Sequence, residues 1–456
     1  TRILWNLNEA TTDTGIISWV SDPGVPDINQ LNWEPNNPWT KGMYYRLAQN
    51  ISYANSFIEN ATDLAASNTE VQDYINEARF LRAYCYSQLI DMFGSVPLAT
   101  KVSAVLPNQA TRTELFSFIE SELLDLANVL PAAGVSEYGH VDRVAASALL
   151  TRLYLNAEVY TGQPKYGDVI SHAENVFASS YSINTNDGNN NGSAYDELFL
   201  ADNNTNGAQN EFIFALMYDG INTQAWGGAT FLVHAPIGGT MNPDDFGVNG
   251  GWGGLRTTKG LVEKFDYAAT QSDGDGHPIA WSDARAMFHT DGQTYETEKM
   301  STFKSGYAVR KFKNVDVNGN PGSDSSGDHP DMDVPIIRLA EVYLNYAEAV
   351  TRGGGGSMDT ATQLINELRS RAGASAISSA QLNTDMVMDE RSRELYWEGL
   401  RRPDLIRSNK FVSNMYVWPF KGGAANGTGV SDHLKLFPIP EDVLLVNPNI
   451  KQNPNY

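Results

Sequence analysis

Nine tryptophans stand in this chain, and Trp5, Trp19, Trp33, Trp39, Trp226, Trp252 and Trp281 fall in stretches without helical periodicity. A flat ring in such a stretch can do one of two things. It can offer a face to the C–H surface of a sugar ring, whose hydroxyls then seek Asp, Asn and Arg partners. It can equally anchor its loop to the body of the protein. Taken alone, each residue leaves both readings open. In Trp226-Gly227-Gly228, and at Trp252 within the glycine-rich run 250–254, the glycine neighbours leave one ring face uncovered. An aromatic at the centre of that run suits a ligand platform better than a phosphate cradle.

Other chemistries find less support. The seven histidines are scattered, none forms the helical pair of a zinc hydrolase, and a single cysteine leaves no cysteine pair to complete a zinc set. There is no Gly-x-Ser-x-Gly elbow, no phosphate loop ending in Gly-Lys-Ser/Thr and no dinucleotide fingerprint. A glycoside hydrolase needs two carboxylates about 5 to 10 Å apart. With 54 acidic residues, neighbouring pairs carry no information. The densest charged group holds Glu390, Arg391, Arg393, Glu394, Glu398, Arg401, Arg402, Asp404 and Arg407. Opposite charges three and four apart support a helix and clamp the next one, so the cluster reads as structural. Asp202, Asn203, Asn204 and Asn206, and again Asp316, Asn318 and Asn320, offer hard oxygen ligands for calcium. Asx turns explain both runs equally well. Calcium is thus possible, with Asp202 and Asn204 as candidate ligands, and no cofactor is required.

Elements that could position these residues follow from composition and period. The 456 residues carry 41% hydrophobic and 19% charged side chains, in the range of globular proteins, and a net charge of −22. Such a charge repels nucleic acid and anionic lipid and favours a neutral ligand; a salty habitat would also select it. No apolar run reaches the ~18 residues of a membrane span. Cys85 has no partner and reads as a small buried hydrophobe. Helical character runs from about 40 to 180, with Leu81, Cys85, Leu89 and Met92 on one face before Gly94 and Pro97, and Leu149 and Leu153 on another. Breaks fall near Pro131 and Pro164. It resumes over about 335–410, where Ile337, Ala340, Leu344 and Ala347 form the stripe and Gly353–Gly356 separates two helices. Residues 1–39, 181–334 and 411–456 read as loop-rich, with short strands such as Glu211–Leu216. The expected picture is mainly α: one domain, 1–456, whose paired helices of tetratricopeptide size carry loops from three stretches.

Five blocks then resemble the RagB/SusD family. They are EARFLRAY (77–84) with DMFGSVPL (91–98), ALLTRLYLNA (148–157), IRLAEVYLNYAEA (337–349), the charged cluster from Glu390 through Glu398-Gly399 to Arg407, and PIP (438–440) with QNPNY (452–456). The resemblance spans essentially the whole chain and implies a SusD-like fold with four tetratricopeptide-like helix pairs and a loop-built glycan face. It also implies a non-catalytic, lipid-anchored protein on the outer face of the outer membrane. Such a protein caps a TonB-dependent, SusC-like transporter barrel and delivers glycans to it. The family's lipidated cysteine and early segment are not in this chain, so a leader and first residues are expected ahead of Thr1.

Within the family the likeness to its starch-binding founder member is greatest. The stretch Asn8 to Pro26 is similar to the loop carrying one tryptophan of that member's aromatic arc, which puts Trp19 there. Trp226 falls at an arc tyrosine, and Trp252 at the third arc position with one glycine more. Arg2 falls at an arginine that binds sugar hydroxyls, and Asp22 at an asparagine. An arc suits a curved chain: starch and β-1,3-glucans coil, whereas cellulose and chitin are straight. The expectation is a neutral helical glucan, β-1,3-linked (laminarin type) or starch-type α-linked, with the acidic surface tipping towards the former. Chitin-type oligosaccharides and a glycoside hydrolase are the alternatives.

Overall fold

The computed structural model describes all residues, Thr1–Tyr456. Four helix pairs succeed one another along the chain: Pro38–Ala65 with Thr69–Phe93, Arg112–Val129 with Arg143–Leu155, Leu339–Thr351 with Met358–Arg371, and Thr384–Leu395 with Arg401–Arg407. Tyr166–Phe177 packs on both Arg143–Leu155 and Leu339–Thr351 and joins the two halves. The starts of these helices are written locally. Asn37 and Asn68 accept from the first free backbone N–H groups of their helices, and Thr111 with Glu114 forms a reciprocal capping box. Gly94, at a φ of 72°, ends the second helix as expected. One continuous apolar core runs from Trp5 to Ile450.

Several expectations change. The helical stretch about 40–93 is two helices, broken after Ala65. Cys85, Leu89 and Met92 are buried, but Leu81 is 45% exposed. Successive residues turn by about 100°, so Leu81 lies about 40° beyond Cys85 and falls off the stripe. Phe80 and Arg82 occupy that part of the interior instead, the arginine bonded to Asn55 at 2.8 Å and Glu122 at 2.8 Å. Leu81→Ala is therefore expected to change unfolding free energy by less than about 0.5 kcal/mol, read from a urea midpoint. In the third block, Pro335 and Ile337 belong to the strand Val334–Arg338, paired antiparallel with Phe212–Leu216; the helix begins at Leu339. The first 39 residues are not simply loop: they contain helices Arg2–Asn8 and Val25–Gln30.

The charged cluster is structural, although by long-range partners more than by helical neighbours. Fully buried Glu394 meets Arg285 at 3.1 Å and Arg338 at 2.6 Å, and also pairs with Arg371. Arg338 reaches Glu211 at 2.9 Å and Glu398 at 2.7 Å. Arg407 joins Glu348 and Asp404, each at 2.7 Å. Arg401 holds Asp13 at 2.7 Å, tying the loop-rich N-terminal stretch to the last helix pair. Of these contacts only Arg407 with Asp404 is a helical neighbour pair. The network thus welds the scaffold to the segments that carry the loops.

Candidate functional site

Trp19 and Trp252 are brought together by a short ladder. Ile16–Ile17 pairs antiparallel with Leu255–Arg256, so the residue two after one strand meets the residue three before the other. Trp19 Nε1 donates to the Trp252 carbonyl at 3.3 Å, and Ser18 Oγ to the Gly253 carbonyl at 2.7 Å. A Cβ on Gly254 would lie 2.0 Å from the Trp19 ring. That glycine makes room for a ring of the site itself, and not, as the sequence pattern implied, for a ligand. Gly228 likewise admits Tyr218, 2.3 Å from where its Cβ would stand.

The Ala229–His234 helix supplies the rest. Trp226 precedes it and is 58% exposed. His234 ends it and stacks under Trp252, centroids 5.0 Å apart and planes at 18°. The imidazole nitrogens lie 2.7 Å from the Gly250 carbonyl oxygen and 3.0 Å from that of Asp328, which fixes the ring. Burial lowers its pKa. His329 packs against Trp226 at 4.8 Å. Asn249 donates to Asp328 at 2.6 Å and closes the loop carrying Trp252.

Three indole rings therefore form a row. Trp19 to Trp252 is 6.4 Å with planes at 45°, and Trp252 to Trp226 is 6.2 Å with planes at 42°. Each step tilts by a similar angle, so the row is not flat. At the Trp19 end, Arg2 opens its short helix. Its backbone N–H donates to the Gly227 carbonyl at 2.9 Å. Its guanidinium lies over Trp39 and Trp19, 4.8 and 5.3 Å from their centroids, and donates to Asp22 at 3.4 Å. The exposed face thus offers apolar rings with one donor and one acceptor at the end, a surface for polyhydroxylated rings.

The five residues singled out from the sequence stand in one cluster. The other tryptophans divide. Trp5 and Trp33 are only 2% exposed; Trp5 packs edge-on against Trp397 at 5.0 Å. They are core anchors, because short helices seat the N-terminal stretch on the scaffold. Trp39 lies in the first turn of a scaffold helix and donates to the Pro23 carbonyl at 3.0 Å. Sequence reasoning missed His234 and His329, since a lone histidine in an apolar segment carries no sign of what it supports. Asp202 accepts from Asn206 at 3.2 Å and from the Val317 amide at 3.2 Å, while Asn203 is buried and bonds the Leu198 and Asp333 carbonyls. A further oxygen-rich group, Asp273, Asp275 and His277, sits in an exposed turn, where Asp273 accepts from the amides of the other two.

A helical scaffold that sets an exposed indole, Trp226, beside two half-buried ones is suited to a protein that holds carbohydrate. Comparison with known proteins agrees. The model described as SusD family matches residues 287–456, and the one described as starch-binding associating with outer membrane matches 6–155. The starch-binding protein SusD of Bacteroides thetaiotaomicron is 33% identical over 100% of this chain and 85% of its own length. SusD-like protein P25 of Formosa agariphila is 24% identical over 93% of this chain and 79% of its own. Among solved structures, a SusD-like protein from Bacteroides fragilis aligns with TM-score 0.76 at 21% identity, over 100% of this chain and 94% of that one. Surface glycan-binding protein A from Bacteroides thetaiotaomicron, in complex with laminarihexaose, aligns with TM-score 0.73 at 20% identity, over 100% and 94%. The chain belongs to the SusD family. It is a non-catalytic glycan-binding protein associated with the outer membrane. None of its helices is long and apolar enough to cross a membrane.

Proposed function

We propose that this protein captures a neutral, coiled glucan on Trp19, Trp252 and Trp226, with Arg2 and Asp22 bonding hydroxyls at one end. The observation that carries this is the row itself, three indoles 6.4 and 6.2 Å apart whose neighbouring planes are inclined at 45° and 42°. Neighbouring rings inclined to one another share no common plane, which suits a chain that bends better than a flat ribbon. Starch-type α-glucan and laminarin-type β-1,3-glucan both coil. The relative at 33% identity is named for starch, and a structural neighbour holds laminarihexaose. The acidic surface, which suits a salty habitat, tips the choice towards the β-1,3-glucan. A lipid anchor ahead of Thr1 would hold the protein on the outer face of the outer membrane, where it passes the chain to a TonB-dependent, SusC-like transporter.

Calorimetric titration with laminarihexaose, maltohexaose, cellohexaose and chitohexaose tests the reading. Binding of one or both coiled sugars, with the straight ones at least about tenfold weaker, is expected. Cellohexaose or chitohexaose bound as tightly as the coiled pair would overturn it. The oxygens of Asp202 are already engaged, one by the Asn206 side chain and the other by the distant Val317 amide, so glucan affinity is expected to survive a chelator. A loss on chelation, restored by calcium in the parent and not in Asp202→Ala/Asn204→Ala, would assign a metal to Asp202 and Asn204.

A further inference from the structure

His234 faces a set of hydrogen-bond partners that only its charged form can complete. The ring is buried at the end of the Ala229–His234 helix, 1% exposed. Nδ1 stands 2.7 Å from the Gly250 carbonyl oxygen and Nε2 3.0 Å from the Asp328 carbonyl oxygen. Both oxygens can only accept. A neutral imidazole has one N–H and one lone pair, so it makes one of these bonds and turns its lone pair towards the other carbonyl. An imidazolium donates to both. The shorter contact assigns the hydrogen of the neutral ring to Nδ1, which leaves the Asp328 carbonyl without a donor from His234.

The two carbonyls belong to different parts of the site. Gly250 opens the run 250–254 that carries Trp252, whose ring lies over the imidazole at 5.0 Å and 18°. Asp328 precedes His329, which backs Trp226 at 4.8 Å. The helix 229–234 and the run 250–254 bring no other titratable side chain to the ring. From the segment 324–329, the Asp328 carboxylate favours the charged ring and His329 opposes it. Asp324 turns its carboxylate to Ser326 Oγ and the His329 amide, at 2.8 and 3.0 Å. Burial outweighs the two carbonyls and Asp328 and lowers the His234 pKa from its ordinary 6.5. At neutral pH the ring is therefore uncharged, and it takes up a second proton only as pH falls below 6.5.

We propose that His234 is a positioning residue of the glucan row, and that its second proton ties the segment behind Trp226 to the ring beneath Trp252 and tightens the site on acidification. This rests on the reading of the row as a glucan site. Asn249 already joins the two segments, donating to the Ser326 carbonyl at 2.8 Å and to Asp328 Oδ1 at 2.6 Å. The added tie thus adjusts the site and does not create it, so the expected gain is about threefold, the size of one modest hydrogen bond.

The test is calorimetry with laminarihexaose or maltohexaose, whichever binds, between about pH 7.5 and about pH 5. It is run on the parent, on His329→Gln, and on His234→Phe, which keeps a ring beneath Trp252 without an N–H. The parent should bind about threefold more tightly at the acid end. His329→Gln should keep that step and His234→Phe should lose it. NMR of the histidine ring nitrogens in the parent reads the same group without depending on a variant that folds. Before sugar is added, His234 should carry hydrogen on Nδ1 at neutral pH and gain its second proton below 6.5. Saturating sugar should raise that midpoint by about half a unit, because the coupling is reciprocal. No binding of either sugar at any pH would sink the glucan reading and this proposal with it. Binding that is equal across the range, a step that persists in His234→Phe, a neutral ring with its hydrogen on Nε2, or a ring that stays uncharged throughout would overturn this proposal alone.

Discussion

Replacing Trp226 and Trp252 together by alanine is expected to weaken glucan binding about 100-fold, or about 2.7 kcal/mol. Stacking on one indole is worth about 1 kcal/mol beyond burial, so two lost platforms account for most of this. The remainder comes from Trp252 itself. It is the middle ring, in contact with Trp19 on one side and Trp226 on the other, and its backbone accepts the bond that orients Trp19. Without the Trp252 ring, the flanking rings lose the surface that sets their tilt. Trp226→Ala alone should cost less, about five- to tenfold, because that ring is exposed and supports no other. Calorimetry on the parent and both variants measures the ratio. A double variant that binds like its parent would mean that the glucan lies elsewhere.

The largest expected loss of stability lies far from the sugar. Glu394→Ala should destabilise the protein by about 3 kcal/mol, since it takes one carboxylate at once from the buried Arg285, Arg338 and Arg371, which keep only their partners Asp283, Glu390, Glu211 and Glu398. A urea titration reads this directly, and a loss below about 1 kcal/mol would show that the network is dispensable. The same network sets an acid limit. Burial alone would raise Glu390 and Glu348, but the arginines around them hold both at about 2 against an ordinary 4.5. Their folded pKa lies below the unfolded one, so their contribution is present above pH 4.5 and is lost as pH falls towards 2. Glu9 works in the other direction. Burial pushes it up to about 7; its contribution is present below 4.5 and is lost as pH rises through 7. Melting temperature should therefore drop steeply below pH 4.5 and more gently towards neutrality.

Much of the scaffold was legible because its signals are local. The stop at Gly94 and the glycine run 353–356 each act within a turn or two of chain, as do the caps at Asn68 and Thr111, which the sequence reading passed over. Leu81 was misread because a spacing of four tolerates an offset of about 40°, and only the packed partner fixes where a stripe ends. Pro335 and Ile337 read as helix because an apolar run before a helix looks the same when its pairing strand, here Phe212–Leu216, is more than a hundred residues away. The site was legible in part. Trp19, Trp226 and Trp252 stood out, together with Arg2 and Asp22, through family resemblance. Trp5 and Trp33 looked alike to them in the sequence and differ only in which way their segments face the core. The histidines behind the rings take up that place only once distant loops have met.

The most direct test of the account is a crystal structure of the protein with laminarihexaose or maltohexaose, whichever binds more tightly. Electron density for sugar rings is expected over Trp19, Trp252 and Trp226 in turn, with hydroxyls within hydrogen-bond reach of Arg2 and Asp22. An intact hexasaccharide bound away from those three rings would contradict it.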